Sequence, residues 1–172
     1  SVSTAINAIE AAALPHHFLG ICQEGQAAIV STTGNPDGHL VLRGGKAGTN
    51  FHREAVEDAA QRLAADGLPA RLMVDCSHGN SNKDYRRQGE VLRAVAEQLR
   101  DGSTHVMGVM LESHLVAGNQ KIPNDLTQLD PGQLTYGQSV TDACIDLPST
   151  LSLLEELAAA VRDVRTRRLV PA

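Results

Sequence analysis

Three apolar runs in this chain each end in a side chain that could bind a metal ion. The side chains are His78 after residues 72–74, Glu112 after residues 106–111 and Asp142 after residues 137–140. They are 34 and 30 positions apart, which is about one strand-plus-helix repeat each. In a parallel α/β barrel this spacing brings the C-terminal ends of neighbouring strands to one rim, where such enzymes hold their active sites. An imidazole and two carboxylates can bind a divalent ion, so the spacing predicts a metal site and favours catalysis.

Each of these residues also has an ordinary structural explanation when it is considered alone. A single histidine at a strand end is commonly a hydrogen-bonded core residue, and Asp142 fits a helix N-cap or a turn. Glu112 is harder to explain in this way, because a carboxylate that follows an apolar run is costly to bury without a partner. The metal prediction therefore depends on the three residues together.

A second group of residues could bind an anion. Leu42-Arg43-Gly44-Gly45-Lys46 ends a predicted strand with two cations that flank two glycines. Glycine lets the backbone approach a ligand closely, and the guanidinium of Arg43 can hold a phosphate or a carboxylate with two hydrogen bonds. A solvated tight turn also explains so short a motif, and the residues alone leave both interpretations open.

The order of predicted elements is typical of an α/β protein with parallel central strands. Apolar periodicity predicts helices over 3–13, 51–66, 83–99 and 147–165, and strands over 18–22, 27–32, 39–43, 70–75, 104–112 and 137–140. We expect Asn80 or Asn82 to cap the third helix, residues 117–135 to form a long loop, and the first strands to form an inserted hairpin. Three parallel strands cannot close into a barrel. Either the rest of a barrel is supplied elsewhere, or the sheet is open.

Composition limits the classes of function. The 172 residues are enough for one domain with a core, which must be aliphatic because the chain has no Trp, two Tyr and two Phe. A net charge of −5 without a dominant basic block argues against a nucleic-acid partner. No apolar run is long enough to span a membrane, and three cysteines without framework spacing suit a reducing compartment. We therefore expect a cytoplasmic protein with no membrane partner.

The first residue suggests a longer parent protein. The chain starts at Ser1 instead of Met and opens directly on an amphipathic helical pattern. Its 172 residues are also few for a complete eight-fold barrel, which typically needs about 250. We expect it to be part of a larger chain.

Five motifs along the chain form a recognisable series. They are Leu42-Arg43-Gly44-Gly45-Lys46, Asp75-Cys76-Ser77-His78-Gly79-Asn80-Ser81-Asn82-Lys83, Met110-Leu111-Glu112-Ser113, Gly118-Asn119-Gln120 and Ser139-Val140-Thr141-Asp142-Ala143-Cys144. From about Ile6 to Leu157 the chain resembles the C-terminal half of the type I (alpha) 3-deoxy-D-arabino-heptulosonate-7-phosphate (DAHP) synthases. The resemblance implies that residues 1–172 are the C-terminal part of a (β/α)8 TIM barrel. It places an inserted β-hairpin at about 18–42 and the last three βα units at about 39–168.

The resemblance also implies an enzyme, a transferase that catalyses the first step of the shikimate pathway to aromatic amino acids. Its reaction would be an aldol-like condensation of phosphoenolpyruvate with erythrose 4-phosphate, which forms DAHP and releases phosphate. The motif positions imply three sets of site residues: metal ligands His78, Glu112 and Asp142, phosphoenolpyruvate-binding residues Arg43 and Lys46, and catalytic residues Arg43 and His78. The divalent ion would be manganese, iron, cobalt or zinc, acting as a Lewis acid on the aldehyde.

Several features of that family are absent from this sequence. The family's fourth metal ligand is a cysteine in a Gly-Pro-Cys context, and its erythrose 4-phosphate loop contains Lys-Pro-Arg-Thr; neither motif occurs here. The upstream Arg and Lys that complete the phosphoenolpyruvate site are also absent. We therefore expect the chain alone to be inactive, the missing N-terminal half of the barrel to be its partner, and the intact enzyme to be a homo-oligomer.

Members of the family are feedback-inhibited by aromatic amino acids at a site that touches the inserted hairpin. Phe18 and Gly20 occupy positions that help to shape this site. A small residue at Gly20 leaves room for a phenol hydroxyl, and the surrounding sequence is most similar to the tyrosine-responsive branch. The resemblance therefore implies tyrosine as the effector.

Three other interpretations remain. A non-catalytic half-barrel would bind metal or a phosphorylated ligand without turnover. A structural metal site would unfold when the metal is removed. A different metal-dependent aldolase would use another aldehyde, although the order of the five motifs argues against it.

Overall fold

The computed structural model describes residues 1–169, and the part of the predicted domain beyond residue 169 lies outside this range. Helix α1 spans Val2–Ala13 and begins where Ser1 Oγ accepts a hydrogen bond from Thr4 N. It ends at Leu14, whose backbone is extended, because the residue before a proline is disfavoured in the helical region. The predicted first helix is confirmed.

A short antiparallel hairpin follows α1. Strand β1 spans His17–Ile21 and β2 spans Ala27–Ser31, with His17 opposite Ser31 and Ile21 opposite Ala27. Both strands were predicted. They form a two-stranded sheet of their own, separate from the sheet that follows.

The central sheet has three parallel strands in the order β3-β4-β5. Strand β3 spans Leu40–Leu42, β4 spans Leu72–Asp75 and β5 spans Val106–Met110. Helix α2, Arg53–Ala65, connects β3 to β4, and helix α3, Gln88–Arg100, connects β4 to β5. The predicted mixed α/β fold with parallel central strands is confirmed.

The core is aliphatic, as the scarcity of aromatic residues requires. It consists of buried side chains from the sheet and the helices, including Leu42, Val56, Leu63, Leu72, Val74, Leu92 and Val95. Strand β4 is almost fully buried, whereas β5 lies at the edge and leaves Met107 and Met110 nearly half exposed. The middle strand is therefore the most firmly packed support for a site at the end of the sheet.

The chain after β5 differs from the prediction. Strands β6, Ser113–His114, and β7, Val116–Asn119, pair in parallel with β9, Ile145–Asp146, and β8, Gln138–Ser139, respectively. The predicted long loop of residues 117–135 therefore begins inside β7. Helix α4, Leu147–Leu169, follows and starts where predicted.

The prediction that residues 137–140 form a strand neighbouring those that end near His78 and Glu112 is wrong. Only Gln138–Ser139 is extended there, and it pairs with β7 outside the central sheet. Gly137, with φ of 78°, ends the preceding turn and leaves too few residues for a sheet-spanning strand. The third strand of the central sheet is β3, which leads into Arg43.

The start of α3 also differs from the prediction. Residues Tyr85–Arg87 form a 3-10 turn capped by Asp84, and the α-helix begins only at Gln88. Asn80 does not cap a helix because its side chain is buried in hydrogen bonds to other segments. Among the described residues, no helix has the length and apolar character needed to cross a membrane.

Candidate functional site

The central sheet brings three chain segments to one edge. Its registers pair Leu42 with Val74 and Asp75 with Met110, so the three strands end at similar heights. They are followed by residues 43–50, called the Arg43 loop, by residues 76–83, called the His78 loop, and by the segment that carries Glu112. Ligands of open parallel sheets bind outside the carboxyl ends of the strands, which is where these segments lie.

The His78 loop is a strained turn. His78, Asn82 and Lys83 have φ values of 49°, 54° and 61°, which residues other than glycine seldom adopt. The turn is held by Ser77 N, which donates to Asp75 Oδ1 at 2.8 Å, and by Lys83 N, which donates to His78 O at 2.8 Å. Strain of this kind persists only where the surrounding structure enforces it, and it is concentrated at functional sites.

The buried carboxylate of Asp75 orients the ring of His78. Asp75 is 3% exposed, and His78 Nδ1 donates to its Oδ2 at 2.8 Å. In a neutral ring the proton is then on Nδ1, so the lone pair of Nε2 faces Glu112 Oε1, which is 3.5 Å away. Two acceptors this close favour a cation between them.

Glu112 is fixed by its backbone and by its side chain. Gln88, which is fully buried, donates from Nε2 to Glu112 O at 3.0 Å and accepts at Oε1 from Glu112 N at 2.8 Å. Ser77 Oγ donates to Glu112 Oε2. The carboxylate is therefore held by the start of α3 and by the His78 loop, with Oε1 directed towards His78.

Asp142 reaches the same place from the small sheets, not from the central sheet. Cys144 and Gly118 exchange backbone hydrogen bonds of 3.1 and 2.8 Å, and Asn119 Nδ2 donates to Thr141 O at 2.8 Å. These bonds anchor the segment around Asp142 to β7. Asp142 itself is exposed.

His78, Glu112 and Asp142 form a cluster that could hold a metal ion. One ligand atom of each residue lies within 4.8 Å of the others. Two ligands of one ion at about 2.1 Å can be no more than about 4.2 Å apart, which ordinary side-chain rotation reaches from this spacing. The exposed Asp142 is the residue most free to rotate.

The donor set suits the ions named above. Imidazole nitrogen and carboxylate oxygen together accommodate manganese, iron, cobalt and zinc, and three protein ligands leave positions for water or substrate. A ligating histidine usually donates its other ring nitrogen to a carboxylate, which is what His78 does towards Asp75. The residues present therefore fit a divalent metal.

Cys144 lies beside this cluster. Burial, and then the negative charges of Glu112 and Asp142, raises the pKa of its thiol, although a hydrogen bond involving Ser139 opposes this. Cys76 is fully buried, and burial together with the charge of Asp75 raises the pKa of its thiol to about 12. Both cysteines therefore stay protonated at neutral pH without a metal.

The Arg43 loop is a tight turn next to the His78 loop. Gly45 and Gly48 exchange backbone hydrogen bonds of 2.9 and 3.0 Å, and Gly79 N donates to Arg43 O at 3.0 Å. The side chains of Arg43 and Lys46 are exposed, and neither forms an ion pair within residues 1–169. Two unneutralised cations on one ordered turn are available to an anion.

Phe18 and Gly20, the predicted effector residues, are not part of this cluster. Both lie on β1 of the separate hairpin, and Phe18 is 52% exposed. A Cβ at Gly20 would lie 2.7 Å from Cγ2 of Val30. Packing within the hairpin therefore already favours glycine at this position.

Sequence reasoning missed the residues that hold the ligands in place. Asp75, Ser77 and Gln88 each bond directly to His78 or Glu112. The Asp-x-x-His spacing at the end of a strand was a usable signal for Asp75. Nothing in the sequence pattern marks Gln88, which contacts Glu112 across 24 residues of chain.

Known proteins match this chain over nearly its whole length. A phospho-2-dehydro-3-deoxyheptonate aldolase of Alternaria alternata is 48% identical over 166 residues, which are 96% of this chain and 43% of that protein. The Tyr-sensitive phospho-2-dehydro-3-deoxyheptonate aldolase of Escherichia coli is 47% identical over 169 residues, 98% of this chain and 46% of that protein. The solved structure of a phospho-2-dehydro-3-deoxyheptonate aldolase from Francisella tularensis superimposes with a TM-score of 0.85 at 46% identity, covering 95% of this chain and 46% of that one.

The chain thus spans less than half the length of these relatives. The sequence profile of the DAHP synthetase I family matches residues 1–155, which include every predicted site residue and both loops at the edge of the sheet. With this match, the chain belongs to the DAHP synthetase I family.

Proposed function

We propose that this chain forms the metal-binding and phosphate-binding part of a DAHP synthase. The observation that carries the proposal is the convergence of His78, Glu112 and Asp142 from two different parts of the fold. The names of its relatives, phospho-2-dehydro-3-deoxyheptonate aldolases, support the same reaction. Because the chain spans less than half of them, we assign the complete activity to an assembly that contains further segments.

The proposed assembly is a (β/α)8 barrel. In this proposal β3, β4 and β5 are its last three strands, and the hairpin of β1 and β2 is an insertion before them. The superposition on a solved relative over 95% of this chain supports the assignment. So does the open edge of β5, where a further strand could pair.

The proposed reaction joins phosphoenolpyruvate to erythrose 4-phosphate. A bond forms between the methylene carbon of phosphoenolpyruvate and the aldehyde carbon, water adds to the enol-derived carbon, and phosphate leaves. Arg43 and Lys46 would bind the phosphate of phosphoenolpyruvate and stabilise its negative charge as it departs. His78, oriented by Asp75, and Glu112, oriented by Gln88 and Ser77, would hold the metal. When bound, a divalent metal supplies Lewis acidity towards the aldehyde oxygen.

Metal titration of the purified chain tests this proposal. We expect Mn²⁺ or Co²⁺ to bind with one-to-one stoichiometry, and His78→Ala, Glu112→Gln and Asp142→Asn each to weaken binding by at least tenfold. His114→Ala is the matched control, because His114 is exposed on β6 and does not belong to the cluster. Equal binding by the His78→Ala variant would contradict the assignment.

A chelator separates a functional metal from a structural one. If the metal serves catalysis, its removal should leave the circular dichroism spectrum unchanged, because the hydrogen bonds around Asp75 and Gln88 hold the loops without it. Unfolding on chelation would favour the structural interpretation. We expect no turnover by the chain alone, and turnover free of contaminating full-length enzyme would contradict this.

We further propose that Phe18 and Gly20 help to bind a regulatory aromatic amino acid, with tyrosine as the effector. Two relatives, from Escherichia coli and Salmonella typhimurium, carry Tyr-sensitive in their names, which supports this assignment. Gly20→Ser in a catalytically competent assembly should change effector preference. An unchanged preference would refute the role of Gly20.

A further inference from the structure

We propose that Asn80 and Asn50 are positioning residues that hold the Arg43 loop at a fixed place beside the His78 loop. The inference rests on the proposed function, in which Arg43 and Lys46 bind the phosphate of phosphoenolpyruvate. It adds that the distance between the phosphate and the metal ligands is set by two asparagines.

Asn80 joins three segments that are distant in sequence. Its side-chain amide donates to Leu42 O at 3.0 Å and to Asp75 O at 2.8 Å, which are the last residues of β3 and β4. Its Oδ1 accepts from Asn50 N at 2.8 Å, at the end of the Arg43 loop. Asn80 is 1% exposed, and these three bonds use both of its donor hydrogens and its acceptor.

Asn50 continues this network into the Arg43 loop. Its Oδ1 accepts a hydrogen bond of 2.7 Å from Gly44 N. Asn50 is therefore held by Asn80 through its backbone amide. Its side chain in turn holds Gly44, the residue next to Arg43. The start and the end of the Arg43 loop are tied to each other and to the His78 loop.

The two loops touch backbone to backbone. A Cβ built at Gly44 would lie 2.5 Å from the carbonyl carbon of Gly79, and one built at Gly79 would lie 2.7 Å from Gly45 N. Gly79 N also donates to Arg43 O. No side chain lies between the loops at this contact, so the hydrogen bonds of Asn80 and Asn50 position two backbones that touch directly.

This arrangement matters because the charged groups themselves are loosely held. Arg43 and Lys46 are exposed and long, so their backbone must be placed accurately for both to reach one phosphate. The next residue to Gly79 is His78, so the same contact places the phosphate relative to the metal. A misplacement of about 1 Å at reacting groups can lower a rate by about a hundredfold.

The test uses Asn50, because replacing the fully buried Asn80 would endanger the fold. Asn50→Ala removes the acceptor for Gly44 N and should raise the dissociation constant of phosphoenolpyruvate about tenfold. The dissociation constant of Mn²⁺ should stay within about twofold, because the Asp75–His78 hydrogen bond does not involve Asn50. Thr49→Ala is the matched control: it removes a neighbouring polar side chain that bonds only to His52 among the described residues.

Amide hydrogen exchange supplies a second measurement that needs no ligand. The Gly44 amide should exchange at least tenfold faster in Asn50→Ala, whereas Asn50→Asp, which keeps an oxygen acceptor, should retain its protection. Unchanged protection in Asn50→Ala would overturn the inference.

Binding results separate the inference from the proposed function. If the unmodified chain binds phosphoenolpyruvate neither by itself nor in the complete assembly, the assignment of Arg43 and Lys46 fails, and the inference fails with it. If the unmodified chain binds and Asn50→Ala binds equally well, only the inference fails. If both dissociation constants rise by the same factor, Asn50 acts on general stability and the inference is also overturned.

Discussion

At the scale of single residues, the ionisable groups of the site are held by neighbours that sequence patterns do not reveal. His78 and Glu112 were predicted from residue type and position, and the structure places them 3.5 Å apart. Their orientation depends on Asp75, Ser77 and Gln88. Periodicity identifies a strand end, but it does not show which polar side chains will meet there.

Asp75→Asn should weaken metal binding without removing it. The amide oxygen can still accept a hydrogen bond from His78 Nδ1. It lacks the negative charge that makes the imidazole ring a better metal ligand, so we expect about a tenfold or larger rise in the dissociation constant of Mn²⁺. Calorimetric titration measures it. Asp84→Asn, in the partly exposed turn before α3, is the control and should have no effect on metal binding. Equal loss in both variants would show that the Asp75 effect is not specific.

Asp142 lies close to His78 and Glu112, as its spacing predicted, but on a different element from the predicted one. Its spacing from Glu112 suggested a further parallel strand, yet it is placed by hydrogen bonds between Gly118 and Cys144 and from Asn119 to Thr141. These contacts join residues more than 20 positions apart through backbone atoms and one side-chain amide, and no periodic pattern in the sequence marks them.

At the scale of elements, apolar periodicity predicted the helices and the central strands, because burial on one face determines both. It missed the small parallel pairs after β5, which are only two to four residues long. A strand of two residues is too short to show the alternating apolar pattern by which strands are predicted. The same limit explains why the 3-10 turn at Tyr85–Arg87 was predicted as part of a helix.

The contact between the two loops predicts unequal effects for neighbouring glycines. Gly44→Ala places a Cβ 2.5 Å from backbone at a residue with φ of 69°, so we expect the free energy of unfolding to fall by about 2 kcal/mol or more. A Cβ at Gly45 meets nothing within 4 Å, so Gly45→Ala should change the free energy of unfolding by about 0.5 kcal/mol or less. Urea unfolding of the two variants measures both values, and equal values would contradict the packing described.

The ion pair between α3 and α4 predicts a pH dependence. Arg93 Nε and Nη2 donate to Glu156 at 2.7 and 2.9 Å, and this lowers the pKa of Glu156 from its ordinary value of 4.5. A carboxyl group with a lowered pKa stabilises the fold at pH values above its ordinary pKa. This contribution to stability is lost as the pH falls through the lowered pKa. Since the two side chains are 56% and 37% exposed, the contribution is at most about 1 kcal/mol.

Glu156→Gln should therefore be slightly less stable than the unmodified chain at pH 7. The difference should shrink as the pH falls below 4.5. Thermal unfolding across this range measures it, with Glu155→Gln as the control. A difference that is constant from pH 7 to pH 3 would exclude the ion pair as its cause.

At the scale of the whole molecule, the central sheet ends in two edge strands, β3 and β5, and β5 is the more exposed of the two. The edge strand β5 and helix α4 border a groove lined by Val106, Met107, Leu157 and Val161. Unpaired strand edges with apolar neighbours favour association with another chain. The exposed edge of β5 agrees with a chain that spans less than half the length of the relatives described above.

The purified chain should accordingly self-associate at micromolar concentration. Met107 is 47% exposed in the groove, so Met107→Lys should shift the sedimentation velocity distribution towards monomer. Leu14→Lys changes a side chain that is 60% exposed away from the groove and should leave the distribution unchanged. A monomeric unmodified chain would contradict the prediction.

The route by which Asp142 reaches the cluster has a consequence for chain length. The pairing of β7 with β8 fixes the two ends of the segment between Asn119 and Gln138. Gln120 N also donates a hydrogen bond to Ser139 O where this segment begins and ends. Within it, residues such as Asp125 and Asp130 bond only to close neighbours among the described residues. Because loop-closure entropy grows slowly with length, several residues can be inserted or removed there without moving Asp142. This segment is the natural position for a genetically inserted reporter peptide that leaves the metal ligands in place.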